Sequence, residues 1–145
     1  MTAFDLHIVF DCTDPDLVAG FWRQALGDYD FPMPIPDGFT TWDEWADAQG
    51  IPVEQRPTGR TLVDQVRDRP DIFFLQVPEP KSVKNRLHLD LKVAPGLEGA
   101  ERRDRIEEEA ARLVALGATI ARPADDADGF HLVLQDPEGN EFCVA

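Results

Sequence analysis

The chain has 145 residues, with 28 Asp and Glu against 14 Lys and Arg and a formal net charge of −14. So negative a surface repels phosphate backbones and anionic lipid, which excludes nucleic acid and membranes as natural partners and leaves a neutral or cationic small molecule as the easier ligand. At 43% hydrophobic and 29% charged residues the composition is that of one globular domain with its own core; no apolar run nears the ~20 residues of a bilayer span and no secretory leader is present, so a cytoplasmic protein is expected.

Residues 4–12 alternate, with Leu6, Ile8 and Phe10 on one face and Asp5, His7, Val9 and Asp11 on the other, which predicts a half-buried strand. Asp14-Pro15 then offers an N-cap followed by proline in the first turn, Leu17, Val18, Phe21, Trp22, Ala25 and Leu26 recur at helical spacing, and Gly27 stops the helix. Pro32, Pro34 and Pro36 predict an extended loop, Thr40–Gln49 a short helix carrying Trp42 and Trp45, and 60–67 a strand. Ile72–Val77 is a β-branched and aromatic strand ended by Pro78 and Pro80.

The second half replays the first. Arg86–Val93 alternates, with Leu87, Leu89, Leu91 and Val93 opposite Arg86, His88, Asp90 and Lys92; a charged helix follows over about 98–116, striped by Ile106, Ala110, Leu113 and Val114 and stopped by Gly117. Leu6-His7 and Leu87-His88 open the two halves, and Ala25-Leu26-Gly27 and Ala115-Leu116-Gly117 close their helices. Strands then start at Thr119 and at about 130. The chain closes with Asp136-Pro137-Glu138-Gly139-Asn140 between Leu132/Leu134 and Phe142/Val144, a hairpin whose glycine and asparagine both tolerate positive φ. Cys12 and Cys143 lack CxxC or metal-knuckle spacing and read as two reduced thiols.

Asp14-Pro15 through Leu26-Gly27, Asn85-Arg86-Leu87-His88-Leu89-Asp90, Leu116-Gly117-Ala118 and the closing turn resemble, in this order and spacing, the vicinal oxygen chelate superfamily: glyoxalase I, bleomycin-resistance proteins and extradiol dioxygenases. Within it the chain looks most like the actinobacterial glyoxalase-like domain branch. The resemblance implies an α+β fold of two βαβββ units, about 4–80 and 85–145, in a single domain. Their eight strands would form a cupped, mostly antiparallel sheet with helices outside, and 31–60 would be an insertion. It also implies a small-molecule ligand in the cup and a homodimer.

In metal-binding members the first strand of each unit supplies a ligand and the closing strand supplies a glutamate. His7 and His88 match the first two positions, and the third is held by Cys143, whose soft sulfur suits Zn²⁺ better than the Ni²⁺, Mn²⁺ or Fe²⁺ of such enzymes. Glu141 shares the face of Cys143 but lies about 7 Å along the strand; it is the candidate third ligand or, alternatively, a general base. His7, His88, His131, Cys143 and Trp42 form the candidate ligand-binding set. Trp42 and Trp45 read as a lid or as packing anchors for the insertion.

Three readings stay open. The first is a non-catalytic small-molecule binder, favoured by the missing glutamate; the acidic surface and tryptophans would suit a cationic drug-like ligand. The second is a lyase, isomerase or dioxygenase using a divalent ion to chelate vicinal oxygens. The third is a scaffold that only dimerises. The first is preferred.

Overall fold

The computed structural model describes residues 4–145, and the chain divides into two compact units, Met1–Pro80 and Lys81–Ala145. In the first, β1 (His7–Cys12), α1 (Pro15–Leu26) and β2 (Tyr29–Asp30) precede α2 (Trp42–Ala48), β3 (Gly59–Asp64) and β4 (Asp71–Gln76). The strands lie in the order β1-β4-β3-β2, with β1 parallel to β4 and the other pairs antiparallel. The sequence signals for α1 act as expected: Asp14 accepts from the Leu17 amide at 3.0 Å, and Gly27 ends the helix at φ 74°.

The buried face of α1 carries Val18, Ala19, Phe21, Trp22 and Ala25. It covers the sheet face that presents Leu62, Ile72 and Phe74, all buried. Phe10 stacks between Trp22 and Phe74 at 5.5 and 5.3 Å. Each large side chain so buried contributes about 2–3 kcal/mol. The opposite face of this sheet carries His7, Val9 and Asp11 of β1, in register with Asp71, Phe73 and Leu75 of β4.

The β3–β4 connection is built around Asp64, which is fully buried. Its carboxylate accepts the amides of Val66, Asp68 and Arg69 and an Arg69 guanidinium N–H at 2.5 Å. Arg67 takes φ 62° inside this loop, a strained conformation that the Asp64 hydrogen bonds hold in place. Between β2 and β3 runs the proline-rich insertion. Its helix α2 starts in a capping box: Thr41 Oγ1 accepts from the Glu44 amide and Glu44 reaches back to the Thr41 amide.

The second unit repeats this topology: β5 (Asp90–Leu91), α3 (Gly99–Ala115), β6 (Thr119–Asp126), β7 (Gly129–Gln135) and β8 (Glu141–Val144), in the order β5-β8-β7-β6 with β5 parallel to β8. Ile106, Ala110 and Leu113 of α3 are buried with Leu134, Phe142 and Val144 of the sheet. The α+β class and the eight strands therefore match the sequence reading, four strands to each unit. Three details differ. The strand expected over 86–93 is only two residues long; with Asp90 and Leu91 opposite Cys143 and Val144, the start of β8 at Glu141 leaves residues 86 and 87 beyond its reach. β6 is longer than its opening Thr119-Ile120-Ala121, and accommodates a bulge between Ile120 and Arg122. In the closing turn only Gly139 adopts positive φ, at 85°. Asn140 serves instead through its side chain, donating to both oxygens of Asp136 at 3.1 and 2.9 Å.

The Arg69 guanidinium, ahead of an opposing burial effect and helped by the loop amides, holds the Asp64 carboxyl well below the usual carboxylate range. A depressed folded-state pKa gives stability that is fully present above the ordinary range, about pH 4, and is lost as pH falls below it. Urea midpoints measured from pH 7 to pH 3 should therefore fall more steeply with acid for the wild type than for Asp64→Asn. The variant should also be the less stable of the two at pH 7.

Candidate functional site

The second unit gathers titratable side chains on the sheet face turned away from α3. Residues two apart on β8 place Glu141 and Cys143 there, and the parallel register sets Asp90 directly opposite Cys143, with Val133 on its other side. His88, two residues before Asp90, brings Nε2 to 3.3 Å from the Asp90 carboxylate. One ligand atom each from His88, Asp90 and Cys143 lies within 4.8 Å of the others. His88 and Asp90 are open to solvent and Cys143 is 8% exposed. Burial first, and the neighbouring Asp90 carboxylate second, push the Cys143 thiol up, so it is protonated at neutral pH and becomes a ligand only when an ion displaces its proton.

The expected ligand set meets this geometry in part. His88 and Cys143 come together. Glu141 is turned elsewhere: its carboxylate accepts the Asn85 amide at 2.9 Å and pairs with Lys81 at 3.2 Å. Burial alone would raise its pKa, but these contacts outweigh it and hold Glu141 below its usual range. Asp90, absent from the expected set, takes its place; the signal for it is the β5–β8 register, which no local sequence pattern specifies. His131, on β7, pairs through Nδ1 with the Gly129 carbonyl at 3.1 Å and lies outside the cluster. His7 belongs to the first unit, exposed on edge strand β1 and in register with Asp71.

The first unit holds a cavity of about 450 Å³ between the insertion and β3, walled by Phe31, Met33, Trp42, Trp45, Ile51 and Thr61. That volume lies within the roughly 300–1,000 Å³ of small-molecule pockets. Trp42 and Trp45, three apart on α2, stand nearly perpendicular, with ring centroids 5.7 Å apart and planes at 84°. Gly59 forms part of the wall, and no side chain fits there, since a Cβ would lie 2.4 Å from the Phe73 ring.

Asp43, Arg56, Pro57 and Arg60 separate this cavity from a neighbouring, more polar one of about 350 Å³. Arg60, buried on β3, grips Asp16 in the first turn of α1 through Nε at 2.6 Å and Nη2 at 3.1 Å, and donates to the Gly59 carbonyl at 2.9 Å. Arg56 binds Asp47 at 2.5 Å and the Ile51 carbonyl at 2.8 and 3.0 Å. Asp43 stands 3.6 Å from both guanidinium groups. Burial raises Asp16 above the ordinary carboxylate range; Arg60 opposes this, and Asp43 adds to it.

A sequence profile described as "Glyoxalase-like domain" matches residues 7–145. No curated protein matches the sequence significantly. Among solved structures, the fold is similar to a glyoxalase/bleomycin resistance protein/dioxygenase family enzyme from Burkholderia phytofirmans (TM-score 0.59, 17% identity, 95% of this chain and 94% of that one). It is also similar to the fosfomycin resistance protein FosX from Mesorhizobium loti (TM-score 0.58, 14% identity, 99% and 91% covered). A third is a FosX variant from Listeria monocytogenes, solved with Mn(II) and 1S,2S-dihydroxypropylphosphonic acid (TM-score 0.62, 10% identity, 99% and 90% covered). No helix among the described residues is long and apolar enough to cross a membrane.

The Arg60–Asp16 pair gives a test of the cavity's frame. Removing one partner of a buried pair leaves the other charge uncompensated, so Arg60→Met should lower unfolding stability by about 3 kcal/mol. Arg60→Met with Asp16→Leu should recover much of that loss. Urea denaturation of the three proteins measures both effects.

Proposed function

The chain belongs to the glyoxalase-like domain family, within the vicinal oxygen chelate superfamily, and from that premise we propose that it is a small-molecule-binding protein of the glyoxalase and bleomycin-resistance type. The observation that carries this reading is the cavity of the first unit, large enough for a drug-sized ligand and walled mainly by apolar and aromatic side chains. The few polar groups at its wall, Asp43, Gln55, Arg56, Arg60 and Thr61, would orient what enters. The state of Glu141 favours binding over catalysis. A carboxylate tied to a lysine and an amide, with its pKa lowered, is a weak proton acceptor at neutral pH.

A second reading rests on His88, Asp90 and Cys143. Tetrahedral ligands about 2.0–2.3 Å from an ion are roughly 3.3–3.8 Å from one another, so a small side-chain adjustment would let the three converge. A nitrogen, an oxygen and a sulfur donor suit Zn²⁺ better than Mn²⁺ or Fe²⁺. A divalent ion is reasonable in this family, given the Mn(II) complex of the Listeria relative. Bound here, it would supply Lewis-acid polarisation of a substrate oxygen pair. His7, the family's other ligand position, and pairing of two copies belong to the same proposal.

The binding reading predicts saturable quenching of tryptophan fluorescence by a cavity ligand found in a thermal-shift screen, with affinity about tenfold lower in Trp42→Ala, or ~1.4 kcal/mol. Unchanged affinity in that variant would place the ligand elsewhere. For the metal reading, elemental analysis of untagged protein purified without chelator and reloaded with Zn²⁺, Ni²⁺, Mn²⁺ or anaerobic Fe²⁺ should give near one ion per chain, abolished in His88→Ala. No retained ion would end that reading and leave the first intact.

A further inference from the structure

The chemistry of the first unit's cavity narrows its ligand. The Trp42 and Trp45 rings pack edge to face with their planes at 84°, and both residues line the cavity. Indole faces carry the negative end of the ring quadrupole, so such a pair attracts a cation and holds its alkyl groups by dispersion. The charges at the wall and behind it add to this: Arg56, Arg60 and Asp43 line the cavity, while Asp47 and Asp16 pair with the two arginines from outside it. Arg56 and Arg60 are opposed by Asp16, Asp43 and Asp47, which leaves one negative charge in excess.

That excess is located on Asp43. Arg60 has committed its shortest contacts to Asp16 and the Gly59 carbonyl, and Arg56 to Asp47 and the Ile51 carbonyl. Asp43 is left at 3.6 Å from each guanidinium, beyond hydrogen-bond reach, with its side chain 56% exposed. It is the residue between Trp42 and the remainder of α2, and it lines the same cavity as both rings. Burial is the main cause of the lift in Asp16, and the Asp43 charge adds to it.

We propose that this cavity takes an organic cation, its ammonium group seated in the corner of Trp42 and Trp45 with the Asp43 carboxylate as counter-charge. The proposal rests on the cavity being the ligand site. It disfavours carboxylate and phosphonate ligands there, because the two arginines that line the cavity are already paired with Asp16, Asp43 and Asp47.

The test is a fluorescence and calorimetric titration of the full chain with three probes of similar size: benzyltrimethylammonium, its neutral carbon isostere neopentylbenzene, and phenylacetate. The proposal predicts that the cation binds at least tenfold tighter than the neutral isostere and that phenylacetate does not bind. In Asp43→Asn, checked for folding by circular dichroism, the preference for cation over isostere should fall several-fold. Trp45→Ala should weaken both. Tighter binding of the neutral probe or of phenylacetate would overturn the cation proposal and leave the cavity as the ligand site. A cation affinity indifferent to Asp43→Asn and Trp45→Ala would place the cation outside this corner and overturn it too. Failure of all three probes to bind would remove both the cation proposal and the binding reading on which it rests.

Discussion

The first unit depends on one buried ion pair. Arg60 reaches from the sheet to Asp16 at the start of α1 with two charge-assisted hydrogen bonds, and its remaining contacts hold the Gly59 carbonyl and face Asp43 of the insertion. Taking these charges out of water costs several kcal/mol per ion, and an apolar pair in the same place would serve stability at least as well. What the charges give is geometry. A planar guanidinium fixes directions as well as distances, so α1, β3 and α2 meet at one point and the cavity wall has a defined position. Gly59 adds a steric condition at the same place, since only a residue without a side chain lets Phe73 lie against the wall.

The two units share a topology and put it to different chemical use. In the second, the open sheet face brings nitrogen, oxygen and sulfur donors together at its parallel β5–β8 edge. In the first, the corresponding edge strand β1 offers His7 and Asp11 to solvent, and the enclosed space lies instead under the insertion. Glu141 shows how a residue of suitable type at a plausible position takes another task. Its carboxylate fastens the 81–85 segment through Lys81 and the Asn85 amide, and Asp90 stands where a third donor is needed.

Much of the fold was legible because the signals were local and redundant. The cap at Asp14, the stop at Gly27, the alternation through Phe10 and the turn at Asp136–Asn140 each follow from spacing and backbone preference alone. The repeated strings around the two histidines carried the two-unit topology. The limits lay in pairing. The length of β5 depends on where β8 begins, and the company of Cys143 depends on a parallel register between segments more than fifty residues apart in sequence; neither is written in a local pattern. The insertion was harder still. Trp42 and Trp45 were recognisable as a pair on one helix face, but the perpendicular packing of their rings, the enclosure by Phe31 and Ile51, and the charge balance around Asp43 arise from tertiary contacts among residues 16 to 61. For the same reason the sequence pointed to the histidine face as the ligand site and gave no sign of the apolar cavity beneath the tryptophans.

The most direct test of that claim uses the three tryptophans as reporters. Trp22 is fully buried in the core beneath α1, while Trp42 and Trp45 line the cavity, so the three indole N–H signals of ¹⁵N-labelled protein distinguish the site from the fold. Titration with benzyltrimethylammonium should move the Trp42 and Trp45 signals together and saturably, with Trp22 and the backbone amides of residues 88–91 and 141–144 unmoved. Saturable shifts confined to those amides, or to Trp22, would contradict the account.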